Sequence, residues 1–317
     1  MLPSPETNQH RPITHLYLGT LGSYFDPTRI AQAHDLLEEQ LTTTTGEILY
    51  VVDNTVCTPA IAQSIDTFFN INSNGLDYRQ ETVFAICKEY LSGEAKSLIA
   101  LATKYPGRIR IMLGTRSEDE ENRYMKINNE YNEANRLIRQ GLFTKALIHF
   151  TEAALLTAIS AEVHQLNIAQ RLAQLRINPS ISTIVINCGQ GHEKLANKLE
   201  TQDYPVITHI MTDVFGHEVR LTPFDGIAKV LQSTKPDDIS ELEWLQTLIQ
   251  EFIYNTITVN MSFRGEDIDI AIADEQAKII ISTRLKTLEL IYELGKKIQD
   301  ATKNGGTYID TISQLLK

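Results

Sequence analysis

Apolar residues along this chain follow two periods. Runs rich in β-branched residues at 13–18, 47–52, 108–113, 182–187 and 206–211 have the length of buried strands, and glycine or polar residues follow the first four closely. Between them, apolar positions recur every three or four residues, as in Ile30, Ala33, Leu36, Leu37 and Leu41, which predicts helices. Asp26-Pro27 supplies the start of the first of these, with proline at the first helical position. Further helices are expected at 61–69, 78–91 and 93–104. This order predicts an α/β fold, a mainly parallel sheet flanked by helices on both faces. Right-handed crossovers would set the ends of the strands at 13–18 and 47–52 side by side.

The third and fourth strands are separated by a segment without strand signal, rich in Ala, Leu, Glu and Asn, which reads as a helical insertion at about 117–177. Within it, Gly141, Phe143, Ala146, Phe150 and Ala153 have the spacing of one tetratricopeptide-like helix pair. Such repeats need about three copies to bury a continuous core, so an ordinary helical hairpin is expected, placed as a lid over the sheet's ligand-binding edge. Beyond the fifth strand, 217–221 reads as a short strand and 223–226 as a turn. The segment 242–254 reads as a helix carrying Trp244 on its apolar face, with short strands at 256–259 and 268–272. A long amphipathic helix is expected at 278–298 and a short one at 309–316. The resulting domain reading is a loose tail at 1–12, an α/β core at 13–232, and a mainly helical cap at 233–317 packed on that core. The helix at 278–298 is also the expected homodimer contact.

Charge narrows the partners. Forty acidic against 29 basic residues give a formal charge of −11, which opposes nucleic acid, whose binding draws on phosphate neutralisation. Cys57, Cys87 and Cys188 are far apart and lack metal-type spacing, as expected for reduced thiols. Residues 1–12 hold no apolar stretch of the secretory kind, and no apolar run approaches the roughly 20 residues of a membrane span. A cytoplasmic protein without membrane association is therefore expected, with signal-independent export as an effector the other route. A small molecule or peptide remains as the ligand.

The chemistry centres on Ser182-Thr183-Ile184-Val185-Ile186-Asn187-Cys188-Gly189-Gln190-Gly191-His192. Gly189 and Gly191 permit a sharp strand-to-helix turn and close approach of a ligand or cofactor to the backbone. His192 would stand at the carboxyl end of the strand, the edge where open α/β sheets bind ligands. An imidazole there serves as general base or metal ligand. Asp53, at another strand end, would orient it or share a divalent cation, while Thr20 or Ser23 would touch substrate. The same residues also fit a purely structural turn in which His192 satisfies its own loop, and Glu193 reads as a helix cap. His209, Asp213 and His217 would share a face if helical, but the run at 206–211 argues for a strand and breaks that set. No nucleophile elbow, phosphate-binding Gly-Lys-Ser/Thr loop or His-Glu-x-x-His occurs, and Gly19-x-x-Gly22 is only a fragment of a dinucleotide fingerprint.

Ile184 to His192, followed by Leu195 and Leu199, resembles the second Gly-x-Gly-His motif of the TraB-like, ChaN-like and erythromycin esterase-like superfamily. Members pair it with a Gly-x-x-His motif after the first strand, a Glu after the next, and a helical insertion before the second motif. Here Gly19-Thr20-Leu21-Gly22 has glycine in place of the first histidine, and Asp53 stands where the Glu is expected. The resemblance spans 13–199 in the order of elements and is specific at Gly189 to His192. It implies metal-assisted hydrolysis, and the departures imply a relative with altered or lost catalysis. The competing expectation is a non-enzymatic binding or effector protein that uses its helical insertion and carboxyl-terminal helices as partner surfaces.

Overall fold

A computed structural model describes residues 11–19, 27–52, 59–71, 91, 94–113, 117–174, 180–212, 218 and 220–263, with single positions at 278, 293, 296, 297 and 300. The chain divides into two compact units: unit 1 comprises residues 1–19, 30–115 and 164–211, and unit 2 comprises 20–29, 116–163 and 212–317.

Unit 1 holds a five-stranded sheet of β1 (Ile13–Gly19), β2 (Glu47–Val52), β3 (Ile109–Leu113), β4 (Ile181–Gly189) and β5 (Val206–Ile210). The strands run in the order β3-β2-β4-β1-β5, and every pair is parallel. The predicted α/β architecture is therefore present, with one correction. β1 and β2 are not neighbours, because the crossover between them leaves a gap one strand wide that β4 later fills. β4 suits the centre: nearly every residue in it is buried, as expected for a strand covered on both faces. At its start the backbones pack tightly, and a Cβ on Gly46 would come within 2.7 Å of the Ser180 carbonyl oxygen.

Side-chain alternation divides the apolar residues of unit 1 between two faces. Ile48, Tyr50, Val52, Ile109, Ile111, Leu113 and Val185 pack with α1 (Pro27–Thr43), α2 (Pro59–Ile71) and α3 (Ala95–Lys104). Leu16, Leu18, Leu49, Val51, Ile184, Ile186 and Cys188 pack on the other face against α6 (Lys194–Glu200) and Ile168, Ala169 and Leu172. Arg108 ties α1 down at its carboxyl end by donating to the carbonyl oxygens of Leu41, Thr44 and Gly46. Arg11, placed in a loose tail by the sequence, donates to the Tyr204 hydroxyl at 3.2 Å.

The insertion is helical, as expected: α4 (Glu118–Arg139) and α5 (Phe143–Gln174). α4 opens on a capping box between Ser117 and Glu120, with four acidic residues in its first turn. α5 begins in unit 2 and ends in unit 1, where it supplies Ile168, Ala169 and Leu172. Unlike the sequence reading, which found no candidate span, α5 is long and apolar enough to cross a membrane by length and composition, with a mean hydropathy of 1.3 over its best window. Its Ala146, Phe150 and Ala153 are buried, and form the packing seam that their spacing indicated.

In unit 2 that seam meets α7 (Pro223–Leu231) and α8 (Glu241–Phe263), which bring Phe224, Trp244, Leu248, Ile249, Phe252 and Ile253. Two expectations are corrected here. Residues 223–226 form the first turn of α7 rather than an isolated turn, because Thr222 caps it by accepting from the Asp225 amide at 3.0 Å and Pro223 suits the first helical position. Residues 256–259 are helical, not a strand, since α8 already runs through them on a buried face set by 248, 249, 252 and 253. Glu218 forms a single antiparallel bridge with Thr212. Most of the tail expected at 1–12, the helix expected at 78–91 apart from Leu91, the helix at 309–316 and the strand at 268–272 lie outside the described residues, as does most of the helix at 278–298.

Candidate functional site

Two structural facts place the site: β4 lies between β1 and β2, and the three strands lead into helices on different faces. β1 is followed by α1 and β2 by α2, both on one face of the sheet, whereas β4 is followed by α6 on the other. Connections that diverge in this way leave a crevice at the carboxyl ends of neighbouring strands. β4 has such a junction on each side. The register aligns the ends, with Gly19 opposite Gly189 and Val52 opposite Asn187.

Thr20 and Asp53, the next residues after β1 and β2, lie outside the described residues, as do Ser23, Asp213 and His217. Gly189 ends β4, and Gln190–His192 form a single 3-10 turn leading to α6. Gly191 is held from α5, since the buried Gln165 amide donates to its carbonyl oxygen at 3.0 Å. His192 is 6% exposed and its ring lies 5.5 Å from that of His164, also buried, at an angle of 54°. The histidine of the motif is thus enclosed between the end of β4 and α5. Glu193 precedes α6 but its side chain makes no capping hydrogen bond. His209 sits in β5, so its predicted strand setting is correct.

On the opposite face, beneath the same strand end, lies a polar network that the sequence did not reveal. Glu94, just before α3, accepts from the Tyr50 hydroxyl at 2.7 Å, from the Asn187 amide at 3.1 Å and from His34 Nε2 at 3.3 Å. All four residues are buried. Burial of a polar side chain is tolerated when donors and acceptors replace its solvent, as these bonds do for Glu94. His34 Nε2 faces Glu94, and its Nδ1 is buried without a hydrogen-bond partner among the described residues. Asn187 belongs to the motif and was the one sequence signal for this network: a buried amide in an otherwise apolar strand needs partners.

Among the described residues, no group of three His, Cys, Asp or Glu side chains is arranged to hold a metal ion. His192 and His164 supply two nitrogens, and no step of chemistry is drawn through a metal.

Set against known proteins, the chain matches no family profile, no curated protein and no solved structure.

Proposed function

We propose that this chain is a ligand-binding α/β protein that takes a small polar molecule, or the end of a peptide, in the crevice at the carboxyl end of β4. The observation that carries this reading is the double junction around β4, flanked by strands whose helices cover the opposite face. Gly189 and Gly191 let the ligand approach the backbone, and the Gln165 bond to Gly191 fixes the loop in advance of binding. The scaffold is hydrolase-like, of the TraB and erythromycin esterase type, with altered or lost catalysis.

A second reading keeps hydrolysis. It is favoured by the closeness of His192 to His164, which supplies a second imidazole to the base or cation site. One set of measurements separates the two: thermal shift of the full chain against a panel of small polar metabolites, and hydrolysis of p-nitrophenyl esters with and without added divalent metal, for the native protein and His192→Ala. Ligand-induced stabilisation that vanishes in His192→Ala, without ester hydrolysis, is the expected outcome. Turnover lost in the variant would establish the hydrolytic reading. Neither stabilisation nor turnover would refute both.

A further inference from the structure

Unit 1 has a concavity on the α1 face of the sheet near its β5 edge. It is a groove of about 430 Å³ lined by Tyr17, Gln32, Asp35, Leu36, Glu39, His209 and Ile210, within the size range of small-molecule sites. Positions 32, 35, 36 and 39 share one side of α1 because they recur at helical spacing. Across from them stands a ladder of rings on the sheet. His209 stacks on Tyr17 at 4.7 Å and on His15 at 5.3 Å, and His15 Nδ1 lies 3.0 Å from His209 Nε2.

The charge balance of this groove is one-sided. Burial, and for His15 also the adjacent His209, holds both imidazoles below their ordinary range, with Glu39 opposing, so they are neutral near pH 7. Burial and the carboxylates of Glu39 and Asp35 push the Tyr17 phenol up, keeping it protonated. Among the described residues, no lysine or arginine lines the groove, and the Asp35 and Glu39 side chains make no ion pair or hydrogen bond with another described residue. Two negative charges four residues apart on a helix have Cβ atoms about 6 Å from each other, and aromatic rings beside them favour a cation. Among the described lining residues no cation faces the carboxylate of a free amino acid, and the donors for a metal ion are not assembled among them.

We propose that this groove binds a short aliphatic diamine or polyamine, with ammonium groups on Asp35 and Glu39 and the methylene chain along Tyr17 and His209. The site is separate from the crevice at β4, and neither reading depends on the other.

Calorimetric titration of the full chain at low ionic strength with putrescine and spermidine tests it, with butylamine, Mg²⁺ and Zn²⁺ as comparisons. Saturable binding of both polyamines is expected, weaker for butylamine. Asp35→Asn and Glu39→Gln should each weaken it about fivefold, the effect of one close charge pair in water, with melting temperature unchanged because both side chains are exposed. Absence of saturable binding, affinity unaffected by either substitution, or equal competition by Mg²⁺ would overturn the proposal. So would Zn²⁺ binding lost in His209→Ala while the amines fail to bind.

Discussion

At the scale of single residues, two buried carboxyl groups are each met by several donors. Glu94 is met by three donors from three separate elements. Glu251 in α8 accepts from the Tyr131 hydroxyl, the Phe224 amide and Asn255, yet burial outweighs these bonds and raises its pKa to about 7. Between pH 4.5 and 7 the folded chain therefore holds a proton that the unfolded chain releases. The stability from this group is complete below 4.5, declines as pH rises through 7 and is constant above it, a change of roughly 3 kcal/mol for the whole shift. Glu251→Gln, which cannot ionise, should flatten that dependence. Denaturation midpoints of native protein and variant at pH 5 and pH 8 check this: the native protein should lose more stability between the two pH values. Equal losses would mean that Glu251 is ionised in the fold throughout.

At the scale of elements, the starts of helices are where local sequence speaks most directly. Ser117 and Thr222 both stand in extended conformation immediately before a helix and accept an amide from its first turn. For α7 this cap does more than for a long helix, because nine residues give few internal hydrogen bonds to offset its loss. Thr222→Ala should cost about 1 kcal/mol, and hydrogen exchange at Asp225 should accelerate. Unchanged exchange there would show that Phe224, held between Tyr131 and Phe150, fixes the turn without the cap. Strands behave differently, since their burial depends on position in the sheet. β4 and β5 read alike as apolar runs, yet the former is buried in the centre while Ile207 and Ile210 at the edge are 45% and 49% exposed.

At the scale of the whole molecule, the apolar face of α8 has its partners in α4, α5 and α7 of unit 2. A fragment beginning at Pro236 lacks α4, α5 and α7, and should show no cooperative thermal transition as a monomer; a sharp transition would assign the carboxyl-terminal region a core of its own. This arrangement also marks the limit of what was legible in the chain. The strands, the helical insertion and the strand-to-helix turn at Gly189 to His192 are set by residues adjacent in sequence, through side-chain period, β-branching and glycine, so the sequence by itself determined them. It did not determine that β4 would separate β1 from β2, because strand order depends on where a long insertion returns, which no local pattern encodes. The residues around Glu94 were equally hidden, since His34 and Asn187 lie 60 and 93 positions away from it. Pairing over such distances forms only when the sheet stacks its helices, because loop-closure entropy must be met by burial that many elements supply together. Tertiary structure alone therefore decided which strand ends flank His192, and which polar side chains share the buried space beneath Asn187.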